Sequence, residues 1–182
     1  WDLHMIAAQQ IVDVLGGADT LGNPVHDMME LDELVAKGIP RSAFDALIDR
    51  LAAGADEITR VSLRYRIIPR ATYQRSRTLN QQHSETAERV ARIYAMARAL
   101  WQDDRAAQRF LLAPHPELRG KSPLDAALTE IGGRQVEEVI EDVFGMPIAL
   151  GSVVNMERET ADALEAPHQE AGEAVRNAAA KN

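Results

Sequence analysis

Cysteine is absent from this 182-residue chain. That excludes disulfides and thiolate metal sites, and it fits a reducing compartment. Aromatic residues make up only 4%. Helices are favoured over sheets, because alanine and leucine rather than β-branched and aromatic residues dominate the apolar content. No apolar run approaches the ~20 residues that cross a bilayer. The opening Trp1-Asp2-Leu3-His4 has no basic stretch leading into a long apolar core, so an exported precursor is not expected and a cytoplasmic location is. Hydrophobic residues nevertheless reach 46%, enough for one moderate domain or two small ones that share an interface.

The most informative absence is local. The chain carries 28 acidic against 20 basic residues, a formal net charge of -8, yet no acidic residue lies between Ile58 and Ser84. That window holds Arg60, Arg64, Arg66, Arg70, Arg75 and Arg77. A positive patch on a negative body is built to meet an anion, and phosphate backbones are the commonest large one. Pro69 opens a short helix bearing Arg70, Thr72, Tyr73, Gln74 and Arg75. Arg70, Thr72, Tyr73, Gln74 and Arg75 are candidates for base edges, and Arg64, Arg66 and Arg77 for phosphates. The other reading of the window is a solvated face paired with the surplus carboxylates.

The remaining chain is punctuated helix. Apolar residues through Leu15 end at Gly16-Gly17, and Leu21-Gly22-Asn23-Pro24 is turn chemistry. Leu31, Leu34 and Val35 form a small helix closed by Gly38. Pro40 opens the next, with Phe44, Leu47, Ile48 and Leu51 inward and Gly54 at its end. Asp56 caps a helix through about Leu63, and Tyr65 to Ile68 is the expected turn before Pro69, in the order of a helix-turn-helix. The strongest periodicity runs over 84–102, with Val90, Ile93, Tyr94, Ala97, Leu100 and Trp101 as one stripe. That stripe offers apolar surface for a homodimer, which a two-fold operator would also require. Asp103-Asp104 starts a helix that Pro114-His115-Pro116 breaks. Ser122-Pro123 starts another, ended by Gly132-Gly133, and Val136, Val139, Ile140, Val143 and Phe144 form the last. From Glu157 onward the chain is alanine, glutamate and polar residues, the composition of a mobile or docked arm. The five histidines make no metal-spaced pair, the glycine pairs are helix stops, and no nucleophile motif or phosphate loop occurs, so neither metal, cofactor nor catalysis is expected.

The run Phe110-Leu111-Leu112-Ala113-Pro114-His115-Pro116-Glu117-Leu118-Arg119-Gly120-Lys121-Ser122-Pro123-Leu124-Asp125, continued by Leu128-Thr129-Glu130-Ile131-Gly132 and Gln135-Val136, resembles the toxin-binding domain of the Xre/MbcA/ParS antitoxins. Their pattern is roughly W-L-x-x-P-x-x-x-L-x-G-x-x-P-L-x-x-L-x-T. Phe110 stands where that pattern has tryptophan, and Ala127 where it has leucine. Gly38-Ile39-Pro40 and Ile68-Pro69-Arg70-Ala71-Thr72-Tyr73 resemble steps of the same family, so the likeness spans about 14–145, closest over 84–145.

The resemblance implies an all-α fold: a helix-turn-helix-like DNA-binding region over 1–83, a helical toxin-binding domain over 84–148 and an extension over 149–182. It implies a non-enzymatic antitoxin of a type II toxin–antitoxin operon. Its partners would be a RES/ParT-like toxin that consumes NAD or transfers ADP-ribose, in a hetero-oligomer, and operator DNA. The toxin-facing residues implied are Phe144, Met146, Val153, Val154, Met156, Glu157 and Glu159. An NAD site binds a pyrophosphate with cationic donors, which carboxylates such as Glu157 and Glu159 would occupy while the apolar residues anchor on its walls. The alternative is a helix-turn-helix regulator with no toxin.

Overall fold

Asp27, Asp56, Asn80, Asp103 and Ser122 each begin a helix in the same way: the side-chain oxygen accepts a backbone N–H three residues on. Each satisfies a donor that the first helical turn leaves unpaired. The computed structural model describes residues 8–145, and its architecture there is all-α. The helices are α1 (Ala8–Val14), α2 (Ala18–Leu21), α3 (Met28–Lys37), α4 (Arg41–Leu51), α5 (Glu57–Ile67), α6 (Arg70–Arg75), α7 (Gln81–Trp101), α8 (Asp104–Leu112), α9 (Pro123–Ala127) and α10 (Glu130–Gly145). A short 3-10 turn, Pro116–Leu118, lies between α8 and α9. Among the described residues no strand forms; an isolated antiparallel bridge joins Pro40 to Thr78.

The chain through Glu141 groups into one compact unit, and of the unit that follows only 142–145, the end of α10, is described. Within the first unit α7 is the axis, packed by α1, α3, α4, α8 and α9. Ala87, Val90, Ala91, Ile93, Tyr94 and Ala97 are all buried along it, and the alanines let neighbouring helices approach closely. Of the stripe expected to offer surface for a homodimer, Val90, Ile93, Tyr94 and Ala97 are thus used within the protomer, while Leu100 and Trp101 are half-buried.

Two expectations fail for clear reasons. The turn expected at 65–68 is helix through Ile67, because Leu63 and Ile67 both reach the core one turn apart; only Ile68 and Pro69 link α5 to α6. Gly132-Gly133 does not end a helix. The helix that Ser122 caps stops at Ala127, and both glycines lie inside α10. A Cβ at Gly132 would meet the Ala126 carbonyl oxygen at 2.2 Å, and one at Gly133 the Arg89 Cδ at 2.3 Å, so the pair serves close packing. By contrast Gly38 fits its expected role. It follows α3 at φ +101°, and a Cβ there would sit 2.2 Å from the Leu79 carbonyl oxygen.

Candidate nucleic-acid interface and toxin-binding segment

The arginine-bearing region is assembled by α4, α5, α6 and the start of α7. The backbone N–H of Arg41 donates to the Arg77 carbonyl (2.8 Å) and that of Leu79 to Ile39 (2.9 Å), which with the Pro40–Thr78 bridge ties the segment after α6 to the entry of α4. Behind it the Ser84 hydroxyl accepts the Ile39 N–H at 3.0 Å, fully buried.

The eight residues proposed from sequence divide into two groups. Arg64, Arg66 and Tyr73 are engaged within the protein. The Tyr73 hydroxyl donates to Asp45 Oδ1 at 2.7 Å. Its ring meets Phe44 and Tyr65 edge-on, with centroids 6.3 and 6.0 Å away. The guanidiniums of Arg41 and Arg64 lie over the same ring at 5.0 and 5.1 Å. Burial first, and then the hydrogen bond to Asp45, push the Tyr73 phenol above its ordinary pKa, while Arg64 and Arg41 pull it down. Arg64 is 17% exposed, and its Nε faces Asp45 at 3.6 Å, too far for a hydrogen bond. Arg66 pairs with Asp125 at the first turn of α9, on the carboxylate oxygen that also accepts the Ser122 hydroxyl.

Arg70, Gln74, Arg75 and Arg77 are exposed, and Thr72 is half-buried. Arg70 lies 5.8 Å from the Tyr65 ring. Among the described residues the side chains of Arg75 and Arg77 have neither ion pair nor hydrogen bond. Thr72 and Arg75 line a shallow cleft with Ser76, Thr78, Leu79 and Asn80. What α6 presents outward is therefore cationic and uncompensated, the arrangement that attracts phosphate. Arg60, the remaining basic residue of the window, pairs with Asp49 and Glu57.

Arg41 and Asp45 were not found from sequence. They precede the acid-free window on α4 and reach Tyr73 only through a contact spanning 28 to 32 residues. No spacing rule links them to α6.

Of the toxin-facing candidates, Phe144 stands in the last turn of α10, and Met146, Val153, Val154, Met156, Glu157 and Glu159 lie outside the described residues. The described part just before them is α8, the 3-10 turn, α9 and α10. Trp101 and Phe110 pack with centroids 4.9 Å apart, and Phe110 meets His115 at 6.1 Å. The loop after α8 closes on itself: His115 N–H donates to the Lys121 carbonyl (2.9 Å), and Gly120 N–H to the His115 carbonyl (3.1 Å). Arg119 and Gly120 both take positive φ, and Leu118 and Leu124 pin the loop to the core. Of the prolines in this run Pro123 is buried, whereas Pro114, Pro116 and Gly120 are exposed.

Residues 96–145 match the family model of the antitoxin Xre/MbcA/ParS C-terminal toxin-binding domain, which bears out over that segment the resemblance carried by Phe110 to Val136. A search of curated proteins finds no match to the chain. The domain supports an antitoxin role in a toxin–antitoxin system, with a toxin as partner, and points to a regulatory rather than enzymatic protein. Among the described residues no helix is long and apolar enough to cross a membrane, and no three His, Asp or Glu side chains gather as a metal site would need.

Proposed function

We propose that this protein is the antitoxin of a type II toxin–antitoxin pair, acting in the cytoplasm, that neutralises a RES/ParT-like toxin by obstructing its NAD site. The observation that carries this reading is the toxin-binding domain over 96–145. Phe144 stands in the last turn of α10, and Met146 follows that helix in sequence. Beyond them Val153, Val154 and Met156 supply apolar anchors, and Glu157 and Glu159 supply carboxylates for a pyrophosphate pocket. Inhibition of this kind is stoichiometric and needs no chemistry from the antitoxin.

The same protein contacts operator DNA through a helix-turn-helix-like region over 1–83, using the exposed Arg70, Gln74, Arg75 and Arg77 and the half-buried Thr72, and so regulates its own operon. The unpaired cations of α6 favour this part of the reading. They equally favour the second reading, a DNA-binding regulator without a toxin.

Co-expression with the product of the adjacent gene tests the proposal. The full chain should restore growth, and a chain ending at residue 145 should bind that product yet fail to protect. Full protection by the shortened chain would remove the role given to residues 146–159. No binding by either chain would leave the second reading standing.

A further inference from the structure

α6 is six residues long and buries none of them. A helix so short does not support itself in water, so an outward-facing cationic surface built on it depends on whatever fixes it from behind. That support converges on one residue, Tyr73, whose ring packs against Phe44, Tyr65 and Arg64 and whose hydrogen bonds are with two residues of α4. Asp45 accepts the Tyr73 hydroxyl at 2.7 Å. Arg41 lies over the Tyr73 ring, donates from Nη1 to the Tyr73 carbonyl at 3.2 Å, and donates its backbone N–H to the Arg77 carbonyl at 2.8 Å. Arg41 therefore fastens the chain on both sides of Arg75.

Asp45 is the odd member of this set. It is a carboxylate placed beside a surface whose proposed ligand is polyanionic. On charge alone it weakens phosphate binding, and its removal should strengthen binding to any duplex. We propose that Asp45 and Tyr73 are positioning residues: they hold α6 so that Arg70, Gln74 and Arg75 meet DNA in one register, and they contribute to discrimination between sequences rather than to attraction. The inference rests on the DNA-binding reading given above.

The two roles have opposite signs in one experiment. The full-length wild type, Asp45→Ala and Tyr73→Phe are titrated against a duplex of the upstream promoter and a shuffled duplex of equal length, and backbone hydrogen exchange is followed over 70–75 and 81–101. Positioning predicts that both variants lose roughly ten-fold in promoter affinity, as expected for one hydrogen bond to a charged acceptor. Affinity for the shuffled duplex should hold for Tyr73→Phe and hold or rise for Asp45→Ala. Exchange should quicken over 70–75 and stay unchanged over 81–101, which separates a loosened α6 from an unfolded protein. Tighter binding of Asp45→Ala to both duplexes with unchanged exchange overturns the proposal, leaving Asp45 a repulsive bystander. Variants indistinguishable from a wild type that binds the promoter also overturn it. A wild type that binds neither duplex removes the DNA-binding reading itself, and this proposal with it.

Discussion

Ala126 and Gly132 approach so closely that no side chain fits between them. A Cβ on Gly132 would lie 2.2 Å from the Ala126 carbonyl oxygen and 2.8 Å from Thr129 Oγ1, the atom that accepts the Gly132 N–H. Helix propensity alone makes alanine better than glycine by ~1 kcal/mol in mid-helix. Here the backbone contact wins, because overpacking against an atom that cannot move aside costs ~1–3 kcal/mol or more. Gly132→Ala should lower the unfolding free energy, measured in urea, by up to about 2 kcal/mol net. Gly133→Ala should be milder. Its added carbon meets the Arg89 side chain, which can move, giving up the 3.2 Å bond from Arg89 Nη1 to the Ala127 carbonyl. Equal losses at the two positions would contradict this account.

That glycine pair marks where the sequence could be read and where it could not. Asp56, Asp103 and Ser122 are local signals, each acting over three residues, and the helices they open are legible in one dimension. Gly38 and Pro40 likewise fix the end of α3 and the start of α4 through their own backbone preferences. Gly132 and Gly133 look like the same kind of punctuation, but their reason is a neighbour across a turn, which no local pattern displays. α2 escaped notice because four residues with one buried leucine have no period. The acid-free window was visible, and so was its outward cationic face. That Arg64 and Tyr73 turn inward was not, since Asp45 and Arg41, which hold Tyr73, come from an earlier helix.

Ser84 offers a cleaner energetic test of how the two ends of this region are joined. Its hydroxyl is the acceptor for the Ile39 N–H, and both residues are fully buried. Ser84→Ala removes one oxygen and strands that N–H away from water. The cost of an unsatisfied buried donor, ~1–3 kcal/mol, should appear in full, because alanine's better helix propensity offsets only a fraction of it. A urea midpoint unchanged by this substitution would show that the N–H finds another partner.

Glu88 gives the protein a pH signature. Its carboxylate is nearly buried and accepts from Arg92 Nε and Nη2 at 2.9 and 2.7 Å. Burial raises its pKa against the pull of Arg92, and the charges of Asp32 and Glu137 add to the rise. The folded state therefore binds this proton more tightly than the unfolded chain does. The group's contribution to stability is fully present below the unfolded value of 4.5 and is lost as pH climbs through the folded value. Measured against Glu88→Gln, the wild type should lose relative stability as pH rises across that interval and then level off. A difference that grows in favour of the wild type with rising pH would mean that Arg92 outweighs burial.

Arg75 and Arg77 carry the last prediction, because their side chains have no partner to compensate for them within the described protein. If each neutralises one phosphate, each alanine substitution should flatten the plot of log affinity against log salt by about 0.9. A phosphate contact is blind to sequence, so the loss should be similar on promoter and shuffled duplexes. Arg66 should behave differently. Asp125, whose carboxylate also accepts the Ser122 hydroxyl, already holds it at the start of α9, so Arg66→Ala should leave the salt slope unchanged and instead loosen the junction of α5 with α9. Comparable slope changes for Arg66 and Arg75 would show that the Asp125 pair opens to release a further cation to the nucleic acid.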